Sequence, residues 1–146
     1  MRIEECINRV DSVKPNHYGV EEKVRWLSYL DASIKREIID THEQPVPAEE
    51  KTIIVIGDGE IPEEESTEFT GYTPDDMTAE LLVPFPFDEL YVAYLKAKID
   101  EENGETARYN NSAATFNGLL MDYEKAYNRD HMPIRKHMRI FKGVHI

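Results

Sequence analysis

The chain has 146 residues and a formal net charge of −12, from 29 acidic and 17 basic side chains. Its apolar share of 40% is too high for a disordered chain, and its length suits a single domain. It has no apolar run of the roughly 20 residues that a membrane span needs, and its first residues do not resemble a signal peptide. A single cysteine excludes an internal disulfide, so we expect a reducing compartment.

The charge is unevenly distributed along the chain. Residues 43–80 contain twelve acidic side chains and one basic side chain, Lys51, whereas the remainder is nearly neutral. The C-terminal residues 129–146 are basic, with five Arg or Lys residues against Asp130. Blocks of one sign are typical of solvated loops or of segments that bind partners. The overall negative charge argues against tight binding of a nucleic-acid backbone, which requires Lys and Arg.

The first predicted element is a short amphipathic helix. Apolar residues recur at helical spacing from Ile3 to Val13, which predicts a helix over residues 2–13 that ends before Pro15. Cys6 lies on the apolar side of this helix. We therefore expect its thiol to be buried and to pack as a small hydrophobic group, not to act as a nucleophile.

A second, longer helix is predicted over residues 20–42. Its apolar residues form one continuous stripe from Val20 to Ile38, and charged residues lie on the opposite side. Glu21 and Glu22 place negative charge at the positive end of the helix dipole.

The acidic middle of the chain contains one short β-prone run. Residues 44–68 are rich in proline and acidic residues, but Thr52–Ile56 is β-branched or apolar and precedes a GDG turn signal at 57–59. We predict a small β-hairpin or a single strand within an acidic insertion. Its exposed edge would need a covering strand, which another subunit could supply, so Ile53 and Val55 are candidate interface residues.

Between the insertion and the next helix, two short segments have recognisable patterns. Phe69–Tyr72 predicts a turn whose aromatic rings attach the loop to the body. Ala79–Val83 predicts a short extended piece that Pro84 ends. Pro86 and Asp88 then favour the start of a third helix, because the first helical turn tolerates proline and favours an acid.

The C-terminal half of the predicted body is helical, with one ambiguity. Leu90–Ile99 predicts the third helix, but apolar residues continue beyond Gly104 at heptad spacing. One long helix could cross this glycine at a cost of about 1 kcal/mol. Alternatively, a helix ends near residues 103–110 and a new one starts around Asn111 or Ser112. The polar sequence YNNS favours a break.

These elements predict a mainly α fold: a bundle of three to four helices with a small β-hairpin insertion and an extended C-terminal tail. Residues 1–133 would form a single helical domain, with 44–68 as the acidic insertion and 134–146 as the basic tail. Five tyrosines on the last two helices fit either core packing or contact with another subunit or partner. These are Tyr91, Tyr94, Tyr109, Tyr123 and Tyr127.

The sequence contains no motif that predicts catalysis. It lacks a GxSxG elbow, a phosphate-binding glycine loop, an HExxH motif and a CxxC pair. The acidic residues 58–65 do not match a calcium loop. Asp40 and His42 are a suggestive pair and the sole support for a small hydrolase, but a histidine at a helix C-terminus has a simpler dipole explanation. We therefore predict a protein without enzymatic activity, with no catalytic residues, no cofactor and no metal site.

Several blocks of the sequence resemble a family of small tailed-phage and prophage proteins from Gram-positive hosts. The blocks are EKVRWLS at 22–28 with Asp31, KREIIDTHE at 35–43, FTGY at 69–72, ELLVP at 80–84, DELY at 88–91, ARYNNS at 107–112 and YNRDHMP at 127–133. They extend across most of residues 1–133. The family looks like the head–tail connector, or adaptor, proteins of the neck of long-tailed phages. This chain departs from the family pattern at 44–68, where a shorter acidic linker is usual.

The resemblance implies a helical subunit of a homo-oligomeric ring, commonly twelve-fold, that docks on the phage portal protein and carries a downstream neck or tail protein. DNA would pass through such a ring without specific binding, and no membrane is implied. The protein would assemble in the host cytoplasm and reside in the neck of the virion.

The candidate portal contacts are the basic residues of the tail, which suit an acidic surface. They are Arg135, Lys136, Arg139 and Lys142. The alternative function is an acidic protein-binding module, such as a DNA mimic that occupies the basic groove of a host nucleic-acid-binding protein. Its support is the negative charge of residues 43–80.

Overall fold

The computed structural model describes residues 1–43 and 68–133. Four helices follow one another in this part of the chain: α1 (Ile3–Val13), α2 (Val20–Ile34), α3 (Glu89–Glu102) and α4 (Thr106–Asp130). Helix accounts for 67% of it, and it contains no β-sheet, which confirms the mainly α fold class and is consistent with a helical bundle. The predicted hairpin of residues 44–68 lies outside the described residues, except for Glu68. No helix in the described ranges has the length and apolar character needed to cross a membrane.

One apolar core joins all four helices. Its buried side chains come from the apolar stripes of α1, α2 and α3, from Leu81 and Val83 in the connection before α3, and from Tyr123 of α4. Helix α3 lies at the centre, because it contacts α1, α2 and α4, and most of its side chains are buried. Helix α4 packs against α3 alone along most of its length.

Helix α1 confirms the prediction for residues 2–13 to within one residue. Ile3, Cys6, Ile7 and Val10 form its buried side, so the thiol lies in the core as expected. The chain leaves the helix at Lys14, whose extended backbone precedes Pro15.

Helix α2 begins at Val20 as predicted, but it does not remain α-helical to His42. The α-helix ends at Ile34, and a π-helical turn follows over Lys35–Ile39. This turn is closed by the Asp40 N–H, which donates to the Lys35 carbonyl at 2.8 Å. The hydroxyl of Thr41 donates to the carbonyl of Ile38 at 2.9 Å, so a side chain competes for the acceptors of this last turn.

The break between α3 and α4 is confirmed, and it is shorter than predicted. Helix α3 ends at Glu102, Gly104 adopts a left-handed conformation with φ of +74°, and α4 begins at Thr106. The polar residues Asn111 and Ser112 therefore lie inside α4, where Ser112 donates to the Asp100 carboxylate at 3.3 Å. A glycine that reverses the chain explains why the heptad pattern continues on both sides of it.

Aromatic pairs fix the antiparallel register of α3 and α4. The rings of Tyr94 and Phe116 lie 5.2 Å apart, and those of Phe87 and Tyr123 lie 5.9 Å apart. The five tyrosines of this region therefore differ in how deeply they are buried. Tyr91 and Tyr123 are buried, whereas Tyr94, Tyr109 and Tyr127 are half-buried.

Candidate interaction site

The six candidate interface residues predicted from the sequence all lie outside the described residues. They are Ile53 and Val55 in the acidic insertion and Arg135, Lys136, Arg139 and Lys142 in the tail. What the structure describes is the place where both segments join the helical body. The acidic insertion follows residue 43, and the basic tail follows residue 133.

These two junctions lie side by side. His42 and Pro133 form an isolated antiparallel β-bridge, and the Glu43 N–H donates to the Met132 carbonyl at 2.7 Å. Two segments of opposite charge therefore begin at the same end of the bundle, within reach of each other. Sequence separation alone gives no indication of this proximity.

The side chain of His42 stabilises the junction through hydrogen bonds and aromatic contacts. The Nδ1 atom of His42 lies 2.6 Å from the Ile38 carbonyl oxygen, and Nε2 lies 2.5 Å from Oδ1 of Asn128. The ring also meets Tyr127 edge-on at 5.0 Å, and Tyr127 stacks on His131 at 3.9 Å. The end of α2 is thus fastened to the last turn of α4.

The side chains of Asp40 and His42, which the sequence suggested as a catalytic pair, form hydrogen bonds with other residues. The Asp40 carboxylate accepts hydrogen bonds from the Lys35 ammonium at 3.0 and 3.1 Å. The two His42 ring nitrogens face Ile38 and Asn128, as described above. Both residues therefore stabilise the irregular end of α2.

A buried carboxylate that the sequence analysis missed lies in the core. Asp31 is fully buried, and its Oδ1 atom accepts a hydrogen bond from the Tyr91 hydroxyl at 2.5 Å. Its Oδ2 atom accepts from the Tyr72 hydroxyl at 2.5 Å and from the Leu82 N–H at 3.2 Å. The Tyr91 oxygen in turn accepts from the Val83 N–H at 2.8 Å. No cation pairs with Asp31 within the two described ranges.

Burial governs the ionisation of this cluster. Removal from water raises the pKa of Asp31, and the hydrogen bonds from Tyr72, Tyr91 and Leu82 offset part of that increase. Burial, together with the neighbouring carboxylate, also raises the pKa of both tyrosines. Their hydroxyls therefore remain protonated donors, which suits a structural role at Asp31 better than acid–base catalysis.

Two further buried charges lie at the opposite end of the bundle. The Lys23 ammonium is buried and donates to the Asp11 carboxylate at 2.6 Å, which ties α2 to α1. Asp100 of α3 is buried and accepts from Lys14. These pairs close the end of the bundle that is remote from the His42–Pro133 bridge.

Metal-binding clusters and an activated cysteine are both absent from the described residues. Within residues 1–43 and 68–133, no group of three His, Cys, Asp or Glu side chains could hold a metal ion. Burial raises the pKa of the Cys6 thiol to about 12, so it is not an activated nucleophile. An open cleft of about 440 Å³ lies between α2 and residues 70–74, and its polar side chains include Arg25, which pairs with Glu22 at 2.7 Å.

Comparisons with known proteins give no match: no family model, no curated protein and no solved structure matches this chain. The connector resemblance therefore rests on the sequence blocks alone.

The sequence did contain a signal for the buried carboxylate. Asp31 follows Val24 and Leu27 and precedes Ile34 at alternating steps of three and four, so it lies in phase with the apolar stripe of α2. Its partners Tyr72 and Tyr91 are far away in the chain, and no periodic pattern identifies them.

Proposed function

We propose that this protein is a structural subunit of a tailed-phage neck, a head–tail connector that forms a ring under the portal and has no catalytic role. The observation that carries the proposal is the set of sequence blocks that resemble the connector family across residues 22–133. The helical body is compatible with it. In this role the protein belongs to the virion, and it assembles in the host cytoplasm.

The junction of the two charged segments supports an assembly role. The basic tail and the acidic insertion leave the body at the His42–Pro133 bridge, so both can act at one end of the subunit. In the proposed complex, Arg135, Lys136, Arg139 and Lys142 contact an acidic portal surface. Ile53 and Val55 belong to the strand predicted from the sequence, whose edge a neighbouring protein would extend.

The exposure of α4 supports contact between subunits. As the structure describes it, this helix of 25 residues has one buried side chain, Tyr123. Met121, on its outer side, is 54% exposed. A ring of about twelve subunits leaves each subunit two neighbours to bind, and α4 offers a long surface for one of them. An acidic channel would let DNA pass without adhering to the wall.

The test is the mass and shape of the purified full-length chain, alone and after mixing with the portal of the same phage. A ring, or a monomer that becomes a ring on the portal, supports the proposal. A variant that lacks residues 134–146 should keep its helical circular dichroism and lose portal binding, whereas Arg25→Glu on the exposed surface of α2 controls for a general loss of positive charge. A chain that remains monomeric and unbound in the presence of the portal overturns the proposal.

One observation favours a second candidate, an acidic module that mimics DNA. Residues 43–80 carry a local charge of −11, which suits the basic groove of a nucleic-acid-binding protein. In that case, binding to such a protein weakens steeply as salt is added, because exposed charges supply the affinity. Portal binding by the purified chain, with no binding to a panel of basic nucleases, decides against this candidate.

A further inference from the structure

The connection that leads into α3 is fastened at both ends by one carboxylate. This connection, residues 72–83, is called the strap here. At its start, the Tyr72 hydroxyl donates to Asp31 at 2.5 Å, and at its end the Leu82 N–H donates to the same Oδ2 atom at 3.2 Å. The next amide, that of Val83, reaches Asp31 through the Tyr91 hydroxyl.

Between these ends, the strap covers the first turn of α1. The Ile3 and Glu4 N–H groups donate to the carbonyls of Ala79 and Met77 at 3.1 and 3.0 Å, and the Leu81 N–H donates to the Met1 carbonyl at 3.0 Å. The strap thus accepts two hydrogen bonds from amides that have no partner inside the helix. Its own regular structure is one 3₁₀ turn, Pro74–Asp76.

We propose that the strap detaches from the helical bundle and reattaches to it as one unit, with Asp31 as the group that fastens both ends. Detachment breaks the contacts of both ends to Asp31, the hydrogen bond from the Tyr72 N–H to the Ser28 hydroxyl and the core packing of Leu81 and Val83. The acceptors for the first turn of α1 leave with the strap. The central pair of helices, α3 and α4, keeps its own contacts when this happens.

The chemistry of Asp31 favours such opening over opening at an apolar contact. A buried carboxylate without a paired cation regains its hydration when the strap leaves, which offsets part of the free energy lost with the hydrogen bonds. Detachment also has a geometric consequence. The acidic residues 43–68 lead into the strap within a few residues, so twelve freed residues extend the reach of that segment by up to about 40 Å.

Native-state amide hydrogen exchange of the full chain, followed by NMR at several low urea concentrations, tests this proposal. In the wild type, one shared opening reaction should expose the amides of Ile3, Glu4, Leu81 and Leu82 to exchange. Exchange through this reaction should be faster, and should depend less on urea, than exchange of the α3 amides. Tyr72→Phe removes one donor to Asp31 and should accelerate exchange of this set about tenfold, with α3 unchanged. Tyr94→Phe is the matched control, a half-buried tyrosine on α3 that should not affect the set.

The proposal is overturned if the wild-type strap amides exchange through the same global unfolding as α3. It is also overturned if Tyr72→Phe accelerates exchange equally throughout the chain, or only at residues next to position 72. Tyr91→Phe provides an independent check, since it removes the other hydroxyl and should accelerate the same set of amides. The wild-type measurement needs no variant, so a poorly folded mutant does not leave the question open.

Discussion

The Glu43 N–H donates a hydrogen bond to the Met132 carbonyl oxygen over 2.7 Å, and this bond joins the residues after the π-helical turn to the residues after α4. The acidic insertion starts immediately after Glu43, and the basic tail starts two residues after Met132. The points from which two segments of opposite charge leave the body are therefore neighbours in space. Both charged segments therefore leave the helical body at one point.

Asp31 predicts a specific pH dependence of stability. Burial raises its pKa above the ordinary value of 3.8, so the folded chain binds this proton more tightly than the unfolded chain. The resulting stabilisation is complete at pH values below the ordinary pKa of the carboxyl group. It is lost as the pH rises through the pKa of Asp31 in the folded chain. Asp31→Asn cannot ionise and should lack this loss, which urea unfolding between pH 4 and pH 8 would measure (about 0.1 M salt throughout).

The difference between the two pH profiles isolates Asp31 from the many other acids. Parallel profiles for the wild type and Asp31→Asn would contradict the assignment of the raised pKa. Asp31→Ala should be less stable than Asp31→Asn by roughly 3 kcal/mol, because it leaves the Tyr72 hydroxyl and the Leu82 N–H without an acceptor.

The buried ammonium of Lys23 predicts an asymmetry between the two members of the Lys23–Asp11 pair. Asp11→Asn leaves the ammonium buried without a carboxylate and should reduce the free energy of unfolding by about 2 kcal/mol. Lys23→Met removes the buried charge at similar volume and leaves Asp11, which is half exposed and hydrates, so its cost should stay under about 1 kcal/mol. Glu37→Gln breaks an exposed pair with Arg36 and serves as a control, with a change of about 0.5 kcal/mol or less.

Urea unfolding at neutral pH measures all three variants. Equal losses for Asp11→Asn and Lys23→Met would show that packing of the lysine chain, and not its charge, governs this site.

The burial of Cys6 predicts that its thiol reacts with a thiol reagent only after the chain unfolds. It has no solvent exposure, and its pKa is raised to about 12, so the native chain should resist a thiol reagent at pH 8 for as long as it stays folded. The single cysteine of the chain makes the readout unambiguous, since complete labelling in concentrated guanidinium chloride gives one thiol per chain. Rapid labelling of the native protein would contradict the burial of α1.

Two glycines predict opposite effects of the same substitution. Gly104 has φ of +74° and open space around it, so Gly104→Ala should destabilise the chain by about 1 kcal/mol through backbone strain. Gly118 lies within α4, also with open space, so Gly118→Ala should stabilise the chain by about 0.5–1 kcal/mol. Thermal unfolding of both variants checks the pair, and a loss of stability in both would mean that α4 is not a regular helix at Gly118.

The sequence predicted the helices well because their stripes are long and periodic. The stripe of α1 and the start of α2 at Val20 were located to within one residue. A break between α3 and α4 was expected, but the YNNS run that favoured it lies inside α4, and the turn is at Gly104. The burial of Cys6 followed from its place on the stripe.

The remaining features depend on contacts between distant parts of the chain. The π-helical turn Lys35–Ile39 accompanies side-chain contacts to the carbonyl of Ile38, and no local propensity predicts it. The cluster at Asp31 needs Tyr72 and Tyr91, which reach it from two other elements. The bridge between His42 and Pro133 is likewise a tertiary feature.

The central position of α3 has a consequence for synthesis of the chain. The apolar faces of α1 and α2 are made first, and the helix that covers them ends only at Glu102. At ordinary translation rates the delay amounts to several seconds, during which those faces lack their contacts with α3. The intervening residues 43–80 carry twelve negative charges against one positive charge. We expect this stretch to keep the waiting nascent chain in solution until α3 emerges from the ribosome.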